Sequence, residues 1–244
     1  MKVKFLGSGD AFGSGGRLQT CIMIESGQKK ILVDCGATSL VAMRKFGVAP
    51  NDISAIFISH LHGDHFTGIP FFILDGQMIS KRTVPLIIAG PPGTQKRIVD
   101  AMEVMFPGSS KVERKFSVEV VELELERPAV IHKIKVTSYP MVHPSGDPST
   151  ALRIEFDGKI VTYTGDTEWT EAIVPAAMGV DLLISEAYFY DKQVKFHMSY
   201  TTLQEHFAEL RVKKLVLTHM GSDMLAKLSE ISCDYADDGK EFEI

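Results

Sequence analysis

The sequence predicts a single layered domain of the α/β (α+β) class that spans residues 1–244. Two observations lead to this prediction. Short apolar runs rich in β-branched residues alternate with segments in which apolar residues recur at helical spacing, as at residues 53–59 and 95–106. The sequence also contains no linker, internal repeat or low-complexity tract, and 244 residues lie within the range of one layered domain.

The composition narrows the class of partner and the compartment. A net charge of −5 and a pI near 5.9 argue against a broad basic surface for nucleic acid, although a local basic strip is compatible with them. Cys21, Cys35 and Cys233 show no paired spacing, which favours a reducing compartment over a disulfide framework. The sequence has no signal-peptide pattern and no apolar run of about 18 residues. We therefore expect a cytoplasmic protein with no membrane partner.

The first half of the chain follows the alternation of strands and helices. Apolar runs with β-branched residues predict strands, and segments of helical periodicity predict helices. Strands are predicted at residues 3–6, 21–25, 30–34, 53–59, 84–89 and 116–125, and helices at residues 38–46, 66–79 and 95–106. A turn at residues 26–28 joins the second strand to the third, and Gly47 and Pro50 end the first helix.

The second half continues this pattern. Strands are predicted at residues 131–142, 151–156, 159–164, 181–186 and 214–218, and helices at residues 171–178 and 203–210. Asp157-Gly158 is a strong signal for a two-residue hairpin turn. Residues 144–148, with two prolines and one glycine, predict a tight turn. His132 and His206 are predicted to lie at the surface.

Two features near the N-terminus each have two interpretations. Residues 7–16 include five glycines, so this segment is either a loop whose N–H groups contact a substrate or a plain turn. Asp34 ends an apolar strand. Its carboxylate is either a helix N-cap or the hydrogen-bond partner of a metal-bound histidine, and we favour the second use.

A dense group of metal-ligand side chains follows the strand predicted at residues 53–59. The hexapeptide HLHGDH at residues 60–65 contains three imidazoles and one carboxylate, which a borderline-soft divalent metal prefers. In an extended backbone His60 and His62 project to the same side, so both can reach one ion. Asp64 and His65 lie beyond the intervening glycine, where they can reach a second ion.

Four further polar side chains lie at or just past the ends of predicted strands. They are His143, Asp166, Glu186 and His219. Strands of packed sheets can deliver such residues from distant parts of the chain to one edge. We therefore expect these four residues to meet the histidines of the hexapeptide.

These ligand positions resemble those of the metallo-β-lactamase superfamily. The superfamily pattern is H-x-H-x-D-H, a later His, an Asp in a Gly-Asp context and a last His after a strand, and all seven positions are filled here in order. The resemblance covers nearly the whole chain, from residues 6–9 to His219. It implies a four-layer αββα sandwich over residues 1–244, in which two mixed sheets pack face to face with helices outside.

The resemblance also implies how the metal is held. Carried over position by position, His60, His62 and His143 hold one ion, Asp64, His65 and His219 hold the other, and Asp166 bridges both. Such ligands suit zinc, our first expectation, and also manganese or iron. Two divalent ions can lower the pKa of a bridging water and stabilise the oxygens of a displacement, which favours a hydrolase.

Glu186 and His197 indicate which type of bond the protein hydrolyses. The stretches SEAYF at residues 185–189 and HMS at residues 197–199 resemble paired motifs of the tRNA 3′-processing endonuclease branch and its phosphodiesterase relatives. In that branch the Glu orients a His that protonates the leaving oxygen. A phosphodiester expels an alkoxide that needs this proton. The resemblance therefore implies catalytic roles for Glu186 and His197, and Asp64 could orient the attacking water as well as bind metal.

The spacing between His143 and Asp166 narrows the range of possible substrates. The tRNA-processing enzymes usually carry a long Gly/Pro-rich arm before the bridging Asp. Here only 22 residues separate His143 from Asp166, and a predicted hairpin occupies most of them. Without this tRNA-gripping arm, we expect a small or cyclic phosphodiester, such as a cyclic nucleotide, a cyclic ribose phosphate or a short oligonucleotide. A nucleic-acid partner stays open.

Several alternatives remain open from the sequence. The same metal site could hydrolyse thioesters, lactones or β-lactams, or the chain could be a tRNA 3′-end endonuclease. A non-catalytic, partner-binding protein could also keep the metals as a structural core. Dimers are common in the superfamily, so a homodimer is a further expectation, although no stretch of the sequence indicates an interface.

Overall fold

The computed structural model describes residues 1–145 and 148–244. Within these residues two seven-stranded mixed sheets pack against each other, and helices cover the outer face of each sheet. This arrangement confirms the αββα sandwich. The turn predicted at residues 144–148 includes positions 146 and 147 and therefore lies outside the described residues.

The first sheet comes from the N-terminal half of the chain and one C-terminal strand. Its strands are β1 (Lys2–Gly7), β2 (Cys21–Ser26), β3 (Lys29–Val33), β4 (Ile53–Phe57), β5 (Leu86–Gly90), β6 (Val118–Glu122) and β14 (Glu241–Glu243). Their spatial order is β14-β1-β2-β3-β4-β5-β6. Neighbours from β14 to β3 are antiparallel, and those from β3 to β6 are parallel. The parallel pairs need crossover connections, which helices supply.

The second sheet comes from the C-terminal half. Its strands are β7 (Ala129–Ile131), β8 (Ile134–Met141), β9 (Ser149–Phe156), β10 (Lys159–Tyr163), β11 (Leu182–Glu186), β12 (Leu215–Thr218) and β13 (Asp234–Tyr235). They follow the order β13-β12-β11-β10-β9-β8-β7. Neighbours from β7 to β10 are antiparallel, and those from β10 to β13 are parallel. Asp157 and Gly158 form the predicted turn between β9 and β10, with φ of 46° and 77°.

Helices form the two outer layers. They are α1 (Ser39–Lys45), α2 (Gly63–Phe66), α3 (Gly68–Met78), α4 (Thr94–Met105), α5 (Ile173–Ala177), α6 (Tyr200–Glu205), α7 (Phe207–Leu210) and α8 (Ser222–Leu225). One apolar cluster packs α1, α3 and α4 against the first sheet. Another packs the four helices α5, α6, α7 and α8 against the second sheet. A third cluster lies between the sheets and includes Phe5, Phe57, Val136 and Ile184. Within the described part of the chain, no helix has the length and apolar character needed to cross a membrane.

Three predicted elements are each divided in two. The strand predicted at residues 131–142 is the hairpin of β7 and β8, because His132 and Lys133 turn the chain with φ of 49° and 70°. The helix predicted at 203–210 is α6 followed by α7. The helix predicted at 66–79 is α3, while Phe66 ends the separate α2. The strands β13 and β14 were not predicted, because two or three residues are too few to show an alternation.

The fold brings the candidate site residues to one edge of the two sheets. The parallel strands β10, β11 and β12 end at the same edge. Asp166 follows β10, Glu186 ends β11 and His219 follows β12. His60 follows β4 of the opposite sheet, and His143 follows β8. The edge is therefore supplied by strand ends from both layers.

Candidate metal centre

The hexapeptide at residues 60–65 passes from an extended segment into the short helix α2, which begins at Gly63. The turn into this helix places Asp64 and His65 beside the preceding histidines. Gly36 lies against the helix so closely that a Cβ atom there would be 2.2 Å from the carbonyl oxygen of Asp64. A glycine at position 36 therefore allows the backbone after β3 to support the motif.

The first group of candidate ligands is His60, His62 and His143. Each offers one ring nitrogen, and these three atoms lie within 4.8 Å of one another. His62 Nε2–H donates to Pro144 O at 3.1 Å. His143 Nδ1–H donates to Phe196 O at 2.9 Å. In neutral imidazoles these bonds leave lone pairs on His62 Nδ1 and His143 Nε2, which are 2.9 Å apart. Because facing lone pairs repel, this pair of nitrogens is suited to binding a cation.

The second group is Asp64, His65, Asp166 and His219, all of them buried. The Nε2 atoms of His65 and His219 each lie 3.2 Å from Asp64 Oδ2. Asp166 Oδ2 lies 3.4 Å from His65 Nε2 and 3.5 Å from His219 Nε2. The same oxygen is 3.8 Å from Nε2 of two histidines in the first group. The carboxylate of Asp166 therefore lies between the two groups.

Several buried atoms of the two groups lack a protein partner. Among the described residues, no hydrogen-bond partner is present for His60 Nε2, His65 Nε2, Asp166 Oδ1 or His219 Nδ1. One buried polar group left unpaired costs about 1–3 kcal/mol, so several on neighbouring residues require an explanation. Imidazole and carboxylate are ligands for divalent transition metals, and the residues present fit such ions.

The electrostatics of the centre disfavour charge on His60 but favour positive charge on His65, beside the two carboxylates. Burial, together with the neighbouring His65, lowers the pKa of His60 well below its usual value. Burial opposes charge on His65 as well, but the carboxylates of Asp166 and Asp64 outweigh it and raise the pKa of His65 well above its usual value. For Asp64, burial is outweighed by His65 and His219, and the pKa of its carboxyl falls far below its usual value. Divalent cations would satisfy the same field.

Asp34 supports His65, one member of the second group. Its Oδ2 accepts hydrogen bonds from His65 Nδ1 at 2.7 Å and from Ser59 Oγ at 2.8 Å, and its Oδ1 accepts from Ser59 N at 2.8 Å. The helix α1 has no side-chain cap, and Asp34 instead contacts His65, so the helix-cap interpretation is wrong. Metal binding by His65 stays a prediction. The backbone of Asp34 is left-handed, with φ of 58°, a strain that the surrounding structure must hold. These contacts direct His65 Nε2 towards the centre.

Glu186 and His197 form a pair beside the two groups. His197 Nδ1 lies 3.0 Å from Glu186 Oε2, and the N–H of Thr167 donates to Glu186 Oε1. Glu186 is completely buried, and burial together with Asp166 raises the pKa of its carboxyl well above the usual value. Burial lowers the pKa of His197. The ring of His197 lies against His143, with the ring centres 4.9 Å apart.

A cavity of about 350 Å³ opens onto the centre. Its polar wall includes His62, Asp64, Asp166, His197 and His219. Its apolar wall is formed by Ala11, Phe12, Tyr188, Phe189 and Val194. The cavity can therefore take a small molecule that has both a charged part and an apolar part.

The glycine-rich segment supplies part of this wall. Asp10 Oδ1 accepts hydrogen bonds from the N–H groups of Phe12 and Ser14, and Asp10 Oδ2 accepts from Ser14 Oγ and Tyr188 Oη. These bonds outweigh the effect of burial and lower the pKa of the Asp10 carboxyl. Phe12 is 85% exposed at the mouth of the cavity. This placement favours the interpretation of the segment as a substrate-contacting loop.

The sequence places Asp10 and Phe12 in the segment with two interpretations and Tyr188 in the stretch SEAYF, but it gives none of the three a role of its own. Asp10 and Tyr188 are 178 residues apart in the chain, so no local pattern could show their contact. The two other histidines lie outside the metal groups. His132 is exposed, whereas His206 is half-buried and stacks on Trp169 with the ring centres 3.7 Å apart.

Comparisons with known proteins agree with this geometry. A model of the family described as Anti-Pycsar protein Apyc1 matches residues 1–240. Ribonuclease Z from Methanosarcina acetivorans is 27% identical over 270 aligned positions, which cover 91% of this chain and 88% of the relative. Human tRNase Z, short form, has a crystal structure with a TM-score of 0.82 at 26% identity, covering 100% of this chain and 99% of that chain.

A further solved structure shows the fold. It is the metallo-beta-lactamase fold protein YhfI from Bacillus subtilis, with a TM-score of 0.78, 23% identity and coverage of 99% of both chains. Together the comparisons confirm the resemblance to the metallo-β-lactamase superfamily and to its tRNA 3′-processing and phosphodiesterase branch. The alignment with the Methanosarcina enzyme is longer than the 244 residues of this chain, so that relative has segments that this chain lacks.

Proposed function

The chain belongs to the family described as Anti-Pycsar protein Apyc1, and on this premise we propose that it hydrolyses a small or cyclic phosphodiester. Its superfamily and its cluster of His and Asp residues make it a metal-dependent hydrolase. The choice of a phosphodiester rests on one observation, the contact between His197 Nδ1 and the buried carboxylate of Glu186.

Seven residues are the proposed metal ligands. His60, His62 and His143 hold one ion, Asp64, His65 and His219 hold the other, and Asp166 is shared. Zinc is proposed first, with manganese or iron as alternatives. When bound, such ions lower the pKa of a water molecule and neutralise charge on phosphoryl oxygens. The support for these roles is the short distances within each group and the buried atoms that lack a protein partner.

His197 is proposed as the acid that protonates the leaving oxygen. Its Nδ1 is occupied by Glu186, so its Nε2 is the nitrogen available to the cavity that the ring lines. The hydrogen bond to the buried Glu186 fixes the direction of the His197 ring. An alkoxide expelled from phosphorus takes up this proton, whereas an acyl substrate with a good leaving group has less need of it.

Asp64 is proposed to orient the attacking water. Its Oδ2 contacts His65 and His219 at 3.2 Å, which leaves Oδ1 to accept a hydrogen bond from a water in the cavity. The carboxylate stays ionised, because the neighbouring imidazoles hold its pKa far below the usual value against the effect of burial. An ionised carboxylate at this position accepts the hydrogen bond that aligns the water with phosphorus.

The volume of the cavity and the net charge of the protein both support a small substrate. The cavity of about 350 Å³ is near the lower end of the volumes that small-molecule sites have. Between His143 and Asp166 the described chain contains mainly the hairpin of β9 and β10, rather than a long arm. The net charge of −5 also disfavours a long polyanion.

The test is a hydrolysis assay on protein whose metal content has been measured. Bis-p-nitrophenyl phosphate and 2′,3′-cyclic nucleotides are the substrates, with zinc or manganese loaded to full occupancy. We expect turnover of both. Nitrocefin, a lactone and a thioester run on the same sample are the controls. The absence of phosphodiester turnover with either metal would contradict the proposal, and turnover confined to an acyl substrate would replace it.

A tRNA 3′-end endonuclease is the second candidate, because the relative Ribonuclease Z is 27% identical over most of its length. Cleavage of a precursor tRNA, compared with that of a cyclic nucleotide on the same preparation, separates the two. We expect the larger kcat/KM for the cyclic nucleotide. The reverse order would favour the endonuclease.

A further inference from the structure

The backbone of Phe196 links two parts of the proposed site. Its carbonyl oxygen accepts a hydrogen bond from His143 Nδ1 at 2.9 Å. Its N–H donates to Glu168 Oε2 at 2.6 Å. The next residue is His197. One residue of the loop between β11 and α6 is therefore in contact with a proposed metal ligand and adjacent to the proposed acid.

The conformation of Phe196 requires support from its surroundings. Its φ of 73° lies in the left-handed region that residues with a Cβ atom rarely adopt. The side chain is 39% exposed, so packing covers only part of the phenyl ring. The hydrogen bonds from His143 and to Glu168 help to hold the backbone of Phe196 in place.

The contact with Phe196 decides which nitrogen of His143 can bind metal. A carbonyl oxygen only accepts, so His143 Nδ1 must carry a proton. The other nitrogen, Nε2, then presents its lone pair towards His62 Nδ1 at 2.9 Å and Asp166 Oδ2 at 3.8 Å. A shift of the carbonyl group would free the ring to rotate or to change its tautomer.

Glu168 is itself fixed to the strand end that carries His143. Its N–H donates to Val142 O at 3.3 Å, and Val142 N–H donates to Thr167 Oγ1 at 3.0 Å. The segment at residues 166–168 therefore reaches Val142, just after β8, through the backbone of Glu168 and the side chain of Thr167. It reaches the His197 loop through the carboxylate of Glu168. The charge of this carboxylate strengthens its hydrogen bond to the N–H of Phe196.

We infer that Glu168 is a positioning residue that holds His143 and His197 in their working orientations through the backbone of Phe196. The inference rests on the proposed function, since it takes His143 as a ligand and His197 as the acid. It assigns a role to a residue that is neither a ligand nor in contact with the reacting atoms.

Three variants test the inference. Glu168→Ala removes the acceptor, and Glu168→Gln keeps an oxygen that can accept from Phe196 N–H. Glu171→Ala is the matched control, because this exposed Glu lies three residues away and contacts only the Trp169 indole among the described side chains. Zinc affinity is measured by competition with a chelator, and kcat is measured for a cyclic nucleotide and for bis-p-nitrophenyl phosphate.

The expected result has two parts. Glu168→Ala should weaken the binding of one zinc ion by about 10–100-fold, the range found when a supporting residue of a metal ligand is removed, and leave the other ion nearly unchanged. It should also lower kcat for the cyclic nucleotide more than for the p-nitrophenyl ester, since the acid is displaced. Glu168→Gln should recover most of both properties, and Glu171→Ala should match the unmodified protein.

The contrary outcomes are distinct. If Glu168→Ala binds two zinc ions as tightly as Glu171→Ala does, or if it loses both ions equally, the positioning role is wrong while the proposed function stands. The same holds if Glu168→Gln shows no recovery. If the unmodified protein itself binds fewer than two ions, the proposed function fails and the positioning role fails with it.

Discussion

The two groups of proposed ligands differ in how the protein supports them. Asp64, His65, Asp166 and His219 are all buried, and Asp34 holds His65 with a bond of 2.7 Å between buried atoms. In the other group only His60 is buried, while His62 and His143 are half-buried and depend on the loop carbonyls of Pro144 and Phe196. The comparison suggests a rigid metal position set deep in the fold and a second, more exposed position that loops complete.

This difference has a chemical consequence. A ligand oriented by a buried carboxylate keeps its direction when the surface moves, whereas a ligand oriented by loop carbonyls follows the loop. The loop that supports His143 also carries His197. Loss of order in this loop would therefore affect the more exposed ion and proton donation together.

The largest expected effect comes from the carboxylate shared by the two groups. Asp166→Ala should abolish binding of both ions and lower kcat/KM by more than about 10⁴-fold, the scale seen when a central catalytic group is removed. Metal content and phosphodiester turnover are measured on the same sample. Asp100→Ala, at an exposed position paired with Lys96, is the control. Retention of two ions by Asp166→Ala would contradict the bridging role.

Removal of the proposed acid should have a large effect that depends on the leaving group. His197→Ala should lower kcat for a cyclic nucleotide by about 10²–10³-fold. The loss for bis-p-nitrophenyl phosphate should be much smaller, because p-nitrophenolate leaves without a proton. His206→Ala is the matched control, since this imidazole is bonded to Glu209 away from the centre. Equal losses for both substrates would refute the role of His197.

Replacement of Asp34, which supports the buried group of ligands, tests whether the two metal positions differ in their support. Asp34→Asn weakens the acceptor for His65 Nδ1, so binding of the deeper ion should weaken by about 10–100-fold. The ion proposed to bind His60, His62 and His143 should be affected less. Chelator competition measures both, and Asp52→Asn, at an exposed carboxylate paired with Lys30, is the control. If Asp34→Asn lost the more exposed ion preferentially, Asp34 would not be the support of the deeper position.

The smallest expected effect concerns the mouth of the cavity. Phe12 is 85% exposed there and can cover an apolar part of the substrate. Phe12→Ala should raise KM by about 3–10-fold with little change in kcat, because only part of the ring's burial energy is lost. Val104→Ala removes an equally exposed apolar side chain from α4 and serves as the control. An unchanged KM would show that Phe12 does not contact the substrate.

Much of the architecture could be predicted from the sequence. The strands that carry the proposed ligands have enough β-branched residues to be visible, and the ligands follow them directly in the chain. The hairpin at His132 and Lys133 was hidden, because apolar residues continue on both sides of a turn that lacks glycine. Short elements such as β13 depend on packing against a neighbouring strand rather than on a local pattern.

The part of the site that escaped prediction depends on contacts between distant residues. Asp34 could be assigned two uses, and only the fold shows its bond to His65, 31 residues further on. The contacts between Asp10 and Tyr188 and between Glu168 and Phe196 cannot be recognised before the chain is folded. Ligands clustered in one motif are visible in a sequence, whereas their supporting residues are assembled by the fold.

We propose that the protein hydrolyses a phosphodiester when both groups of ligands hold an ion. The most direct measurement is a zinc titration of metal-free protein in which turnover of a 2′,3′-cyclic nucleotide is followed with each addition. We expect the deeper position to fill first with little turnover, and activity to rise as the second equivalent binds. Full activity at one equivalent, or two bound equivalents without phosphodiester turnover, would contradict the claim.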